Sequence, residues 1–318
     1  MSEKVIVNEV GPRDGLQNQA VLVPASDKLA LIGSLVDAGL RHIEATSFVS
    51  PKAVPQMADA DEVFRNLPNE DRVEYAALVL NEKGYERAVD AGAKVLAVAL
   101  SATETMSRKN NNKSLGESRA LYGGLMRRAR DEGFRGTAYI SVALGCPYEG
   151  DVAPELVCEL AEEMLEKGAH LVVIADTIGS GNPSQVDRLF GLLGRRTDMS
   201  LVAGHFHDTR ALALANTWAA LQQGVRRFDS SVGGLGGCPF APGAAGNVAT
   251  EDLVTMLHQC GFETGIDVTK LLSTVSAVEK MVKRSLGGRM VPWIESQQTV
   301  GGNSRVGSEG ALPGHPGG

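Results

Sequence analysis

One phrase recurs five times along this chain and limits the folds open to it. An amphipathic stretch ends in an acid or amide, one further residue and a glycine, and a β-branched run follows. It stands at Asp37-Ala38-Gly39 before His42-Ile43-Glu44 and at Asp90-Ala91-Gly92 before Val95-Leu96-Ala97-Val98. Asp131-Glu132-Gly133, Glu166-Lys167-Gly168 and Gln222-Gln223-Gly224 repeat it. A glycine at that place suits the left-handed residue that ends a helix and turns the chain back into a strand. One αβ turn used over and over predicts alternating helices and strands, with the strands parallel.

The runs place strands near 4–10, 42–48, 73–80, 94–102, 137–144, 170–177, 200–208 and 226–232. Helical patterns fall near 26–38, 56–66, 82–91, 115–132, 154–167, 183–193, 211–223 and 250–260. Ser114-Leu115-Gly116-Glu117 reads as a capping box, and Asn182-Pro183 puts proline in a first helical turn. Eight such units predict an α/β fold of the (β/α)8 TIM-barrel type, about 250 residues in one domain. A further helical segment over 268–286 is expected to pack outside it. An open doubly wound sheet is the rival, but no GxGxxG follows the first strand. The expected organisation is one catalytic domain over residues 1–290. A polar, Gly-, Ser- and Pro-rich tail over 296–318 is expected to be disordered.

Of the 318 residues 43% are hydrophobic and 22% charged, as in an ordinary globular protein. A net charge of -7 excludes a dominant basic face and argues against nucleic acid as a partner. No apolar stretch reaches membrane length and no leader pattern opens the chain, so a cytoplasmic protein without a membrane partner is expected. Cys146, Cys158, Cys238 and Cys260 show no CxxC spacing, which fits a reducing compartment.

Polar residues gather at the ends of the expected strands, where barrel enzymes keep their active sites. His205 and His207 in Gly204-His205-Phe206-His207-Asp208 share one face of a strand, a spacing that suits a divalent metal. Arg13 and Asp14 follow the first strand; Asp14 is equally suited to capping a turn, with Arg13 as its partner. Glu44 and Glu9 are read either as site groups or as braces, and Asp176 either as a site carboxylate or as a loop cap. The loop from Gly233 to Asn247 carries Cys238 among many glycines, an unusual length for a mere connection. Cys146, Cys158 and Cys260 read as structural. The basic segment Ser107–Lys113 is either a solvated loop or, ahead of the capped helix at Ser114, a site for a phosphate-bearing ligand.

Taken together, Arg13-Asp14-Gly15-Leu16-Gln17-Asn18, Glu44-Ala45-Thr46-Ser47-Phe48-Val49-Ser50-Pro51-Lys52, His205-Phe206-His207-Asp208-Thr209 and Ser231-Val232-Gly233-Gly234-Leu235-Gly236-Gly237-Cys238-Pro239 resemble the 3-hydroxy-3-methylglutaryl-CoA lyase family. The likeness runs from about Val5 to Leu257, and the glycine–cysteine loop is its most specific part. The resemblance implies that Asp14, His205, His207 and Asn247 bind a divalent cation, Mg²⁺ or Mn²⁺. It implies that Arg13 stabilises enolate charge, that Cys238 is an acid/base residue on a mobile loop, and that Glu44 and Asp176 lie beside an acyl-CoA substrate. Arg108, Lys109 and Asn110 to Asn112 fall where the family has a basic, Asn-containing loop near the coenzyme A end. Asp14 and His205 are the candidates for general base. A homodimer is the expected assembly. Arg210-Ala211 stands where the family has Tyr-Gly, and the added cation would favour a different acyl group or an extra carboxylate. The nearest alternatives are a lyase or synthase for a related 3-hydroxyacyl-CoA. A barrel metallohydrolase is the more distant one, disfavoured because His-x-His ends the seventh strand and His42, His170, His258 and His315 are badly placed to complete its site.

Overall fold

A computed structural model describes residues 2–237, 246–286 and 288–300. The strands are β1 (Ile6–Glu9), β2 (His42–Ser47), β3 (Glu74–Leu78), β4 (Val95–Ser101), β5 (Arg135–Ser141), β6 (Ala169–Asp176), β7 (Val202–Phe206) and β8 (Arg227–Ser230). The helices are α1 (Ala25–Asp37), α2 (Ala60–Arg65), α3 (Glu82–Asp90), α4 (Glu104–Asn111), α5 (Leu115–Asp131), α6 (Pro154–Glu166), α7 (Pro183–Leu193), α8 (Ala213–Gln222), α9 (Thr250–Gln259), α10 (Val268–Val282) and α11 (Met290–Val300). The eight strands pair in chain order and close into a barrel, β1 running parallel to both β2 and β8.

The recurring turn does what its glycines imply. Gly39, Gly92, Gly133, Gly168 and Gly224 all have positive φ, from 80° to 112°. Each follows a helix and returns the chain to a strand, so five of the crossovers share one chemistry. The main core lies between strands and helices, with Ile43, Leu96, Val98, Ile140, Ile174 and Phe228 facing outward onto it. A second, smaller cluster of Leu78, Ala97, Tyr139, Val173 and Ala203 fills the barrel itself.

Two segments differ from expectation. The helix expected over 56–66 is divided into a single turn at Pro55–Met57 and the short α2. The Gln56 carbonyl is taken by the ammonium of Lys28, which is buried and also pairs with Asp59 at 2.7 Å. That carbonyl is withdrawn from the helical ladder. The basic segment Ser107–Lys113 is not a loop: most of it forms the last turns of α4, supported by an i,i+4 pair of Arg108 with Glu104 at 2.6 Å. Asn112, at φ 53°, then turns the chain into the capping box of Ser114 and Glu117 that opens α5.

α10 packs outside the barrel against α1, burying Leu271, Val275 and Val278. α11 runs through Ser296, where the polar tail was expected to begin, and residues 301–318 lie outside the described residues.

The αβ turns allow a test that separates backbone strain from crowding. A Cβ at Gly92 would meet nothing within 4 Å, whereas one at Gly39 would stand 2.3 Å from the Gly265 carbonyl oxygen. Gly92→Ala is expected to lower stability by about 1–2 kcal/mol, the strain of a left-handed alanine. Gly39→Ala is expected to cost clearly more, because backbone must move. Denaturant unfolding of both variants checks this, and equal losses would count against it.

Candidate active site

Barrel closure brings the ends of β7, β8 and β1 side by side. After β1 the chain makes a wide turn in which the amides of Arg13, Asp14 and Gly15 all point at the Val10 carbonyl, at 3.2, 2.8 and 3.2 Å. The turn presents Arg13 and Asp14 to the barrel mouth. On β7 the alternation of the strand sends His205 and His207 to one side, their ring centres 5.2 Å apart. Beyond β8 the chain returns as a short antiparallel bridge to β7, His207 opposite Asn247. Backbone bonds from Asp208 to Gly246 and from Val248 to Phe206, both 3.0 Å, fix it.

Ligand atoms of Asp14, His205 and His207 lie within 4.8 Å of one another. Asn247 joins them by donating its Nδ2 to Asp14 at 2.8 Å and to the Leu235 carbonyl at 3.3 Å. Its Oδ1 is thereby turned away from both, buried and without a partner among the described residues. His207 Nδ1 is likewise buried and has no partner among the described residues. Orphaned polar atoms are costly in a protein interior. A divalent cation would satisfy them, and a carboxylate, two imidazoles and an amide oxygen are a donor set suited to one. The residues present fit a metal.

The electrostatics agree. Burial works to raise Asp14, but Arg13, His205 and His207 hold it down at about 2, so it is a carboxylate throughout the neutral range. Burial, with His205 beside it, pushes His207 down to about 4 and keeps it neutral, as a ligand must be. Burial also works against the charged form of His205, yet Asp229 outweighs it and the ring is more basic than usual. Asp229 accepts from His205 Nδ1 at 3.0 Å and is itself held by Asn8 at 2.8 Å. That leaves His205 Nε2 as the nitrogen available in the site, an orientation commonly imposed on metal-binding histidines.

Arg13, 7% exposed, lies between two carboxylates: Asp14 at 2.7 Å and Glu44, which Nε meets at 2.8 Å. Glu44 therefore braces Arg13. Glu9 is a brace of another kind, accepting from the amides of Gly11 at 2.8 Å and Val232 at 2.9 Å and from the Thr250 hydroxyl at 2.7 Å. Asp176 holds the loop before α7 through the amides of Ser180 at 2.8 Å and Gly181 at 2.9 Å.

A cavity of about 410 Å³ opens over this cluster and is lined by Arg13, Asp14, His205 and His207. Asn110 lines it as well; Arg108 is paired with Glu104 on an exposed part of α4 and does not. Cys238 lies outside the described residues. Arg210, read from the sequence as an added cation near the metal, is turned away: its guanidinium binds the Gly179 and Ser180 carbonyls. Sequence reading missed Asp229, Asn8 and Tyr139, whose ring meets His205 edge-on at 6.1 Å. An acid within the β8 strand run was the available signal for Asp229.

Fold and site together define a barrel enzyme whose strand ends are fitted to hold a divalent cation beside a buried arginine. Comparison with known proteins narrows this. A family model described as HMGL-like matches residues 4–278, and the chain belongs to that family. It is 49% identical to the hydroxymethylglutaryl-CoA lyase of Pseudomonas mevalonii, over 90% of this chain and 93% of that protein. The crystal structure of the Bacillus subtilis HMG-CoA lyase matches with a TM-score of 0.90 at 44% identity, covering 92% of this chain and 98% of that one. A lyase structure from Acinetobacter baumannii, in complex with coenzyme A and 3-methylmalate, matches at 0.87 with 36% identity, over 98% of both chains. Carboxyl transferase domains of Rhizobium etli pyruvate carboxylase, at 17% identity, share the fold alone.

Two predictions follow from this geometry. His207→Ala removes one donor at the barrel rim and is expected to weaken Mn²⁺ binding at least tenfold, with circular dichroism unchanged. Unaltered affinity in a calorimetric titration would take His207 out of the site. Glu9 supplies the second. Burial pushes it up to about 7, so the folded chain holds its proton more tightly than the unfolded one. The stability this contributes is complete below the unfolded value near 4.5 and is lost as pH rises through about 7. In Glu9→Gln, whose carboxamide can keep all three contacts, that loss is absent. The variant should therefore gain on the wild type between pH 5 and 8, by up to about 3 kcal/mol. A difference in Tm that does not change with pH would contradict this.

Proposed function

We propose that the chain is a hydroxymethylglutaryl-CoA lyase, cleaving 3-hydroxy-3-methylglutaryl-CoA to acetyl-CoA and acetoacetate by retro-Claisen chemistry. The observation that carries the reading is the convergence of Asp14, His205, His207 and the free oxygen of Asn247 beside buried Arg13 in one cavity. In the proposed site these four residues hold Mg²⁺ or Mn²⁺, His205 being a donor in its neutral form. Such a cation, when bound, polarises substrate oxygens and lowers the pKa of the C3 hydroxyl.

The remaining steps belong to the chain. Of the two base candidates, Asp14 is held at about 2, whereas Asp229 makes His205 more basic. Yet His205 Nε2, committed to the cation, cannot take a proton as well, so the proposed path takes the hydroxyl proton to the Asp14 carboxylate, while Asp229 holds the His205 ring in its orientation as a neutral donor. The C2–C3 bond then breaks and its electron pair becomes a thioester enolate. Arg13, fixed in advance by Glu44 and Asp14, faces the growing negative charge without reorganisation. Cys238 is proposed to return a proton to the enolate carbon, which releases acetyl-CoA. Residues 1–290 are read as one catalytic unit and the assembly as a homodimer. Among the described residues no helix is long and apolar enough to cross a membrane.

With Arg210 bound to the Gly179 and Ser180 carbonyls, nothing in its placement favours another acyl group. Incubation of the purified chain with Mg²⁺ and a panel of 3-hydroxyacyl-CoAs, with products identified by mass spectrometry, tests the reading. Acetyl-CoA and acetoacetate from the hydroxymethylglutaryl thioester are expected; intact substrate, or free coenzyme A from simple hydrolysis, would refute it. Arg13→Gln keeps much of the side chain without the charge. Its kcat is expected to fall by about 10²–10³-fold or more with KM little changed, since the charge it meets develops after binding. A large rise in KM at constant kcat would assign Arg13 to substrate binding instead.

A further inference from the structure

The barrel has a second charged mouth, at the end of the strands away from the proposed metal. His42, Glu74, Val95, Arg135 and Arg227 are the first residues of β2, β3, β4, β5 and β8. The first four of them line an open cavity of about 290 Å³. Its remaining wall carries Asp71, Arg72 and Lys94 together with Phe64, Val73 and Tyr75. A narrower cavity of about 40 Å³ within the barrel shares His42, Glu74 and Val95 with it and reaches Arg227, Asn8 and Thr137. Small inward residues leave that space open: Ala76, Ala97 and Ala203 stand where a filled barrel has bulky branched side chains. It has room for a group of a few heavy atoms, since one water needs about 10–15 Å³.

Cations outnumber acids there. Arg72, Lys94, Arg135 and Arg227 face Asp71 and Glu74, in a chain whose net charge is -7. Glu74 is already engaged by Arg135 and, at 3.7 Å, by His42. Asp229 lines the inner cavity as well but answers His205 and Asn8. Arg227 is left over: half-buried, it makes no hydrogen bond or ion pair among the described residues. Burial holds its guanidinium below the ordinary range; Glu74 opposes that effect and Arg135 adds to it. A desolvated cation without a partner is unfavourable unless a ligand supplies the anion.

We propose that this mouth binds a small phosphate monoester, its dianionic head on Arg227 in the inner cavity and its organic body in the outer one. A guanidinium presents a fork of donors that matches two phosphate oxygens. The excess of cations around the mouth favours a dianion over a single carboxylate. The outer cavity is larger than a bare ion requires, and Phe64, Val73 and Tyr75 offer apolar surface to a carbon skeleton. This site lies at the opposite strand ends from Asp14, His205 and His207, so it stands independently of the lyase reading.

The test uses the full chain without added metal, so that the cluster at the other rim recruits no phosphate. Calorimetry and thermal unfolding are run with glycerol 3-phosphate, inorganic phosphate and acetate, against chloride at equal ionic strength. Glycerol 3-phosphate is expected to bind and to raise Tm, about threefold or more tighter than inorganic phosphate, while acetate does neither. Arg227→Met should weaken the ester about tenfold or more, with a ligand-free Tm no lower than that of the wild type, because an unpaired charge has gone. Arg72→Ala, at the exposed rim where folding is not at stake, should weaken it about twofold to fivefold. Lys113→Met, in the cavity at the other end, should bind like the wild type. Undiminished binding in Arg227→Met, or loss in Lys113→Met instead, would place the phosphate elsewhere and overturn the proposal. Acetate binding as tightly as the ester would overturn the dianion, and an ester no tighter than free phosphate would overturn the role of the outer cavity.

Discussion

Closure of β1 onto β8 is the interaction on which this site depends. Four register pairs, from Ile6 with Arg227 to Glu9 with Ser230, join the first strand to the last. Asp14 follows one of these strands and Asn247 the other, 233 residues apart in the chain yet hydrogen-bonded at 2.8 Å. Asn247 meets His207 through its own bridge to β7, but without the closed barrel Asp14 would meet none of them. Glu9 strengthens the same seam: buried at the end of β1, it ties the turn carrying Arg13 and Asp14 to the loop after β8 and to α9. The seam both closes the barrel and carries the turn that presents Arg13 and Asp14 to the site.

Much buried charge is gathered there, and its arrangement explains why the site tolerates it. Arg13 is shared by Asp14 and Glu44, so one cation answers two carboxylates. Asp229 and His205 form a second pair within hydrogen-bonding distance. Among the described residues the atoms left unmatched here include an amide oxygen on Asn247, a ring nitrogen on His207 and the second carboxylate oxygen of Glu44. Burying charge without partners would be strongly unfavourable. Here Arg13, Asp14, Glu44, His205 and Asp229 each have one, and the leftover atoms on Asn247 and His207 are neutral donors of the kind a metal takes. Order imposed during folding thus prepares the electrostatics that an enolate requires, rather than leaving them to rearrange when the charge appears.

The fold was legible because its signals are local. The αβ turns announce themselves through Gly39, Gly92, Gly133, Gly168 and Gly224, and each strand run is bounded by them or by a cap. Asp14, His205, His207 and Asn247 were also legible, the histidines from strand alternation and the others through resemblance. Tertiary competition hid the rest. Lys28 takes a carbonyl from what would have been a longer helix, and Ser107–Lys113 looked like a solvated loop because its helix is short and polar. Arg210 could be identified but not aimed: only the neighbouring Gly179 and Ser180 carbonyls decide where its guanidinium goes. Asp229 and Tyr139 escaped because their roles exist only across the barrel interior, where sequence spacing carries no information.

The central claim is that this seam holds a divalent cation through both histidines at once. Pulsed electron paramagnetic resonance of the Mn²⁺-loaded protein addresses it directly, because nitrogen bound to the ion modulates the echo. The account predicts modulation from two imidazole nitrogens, abolished when excess Mg²⁺ displaces the manganese. A spectrum like that of the hydrated ion, with no directly bound nitrogen, would contradict it.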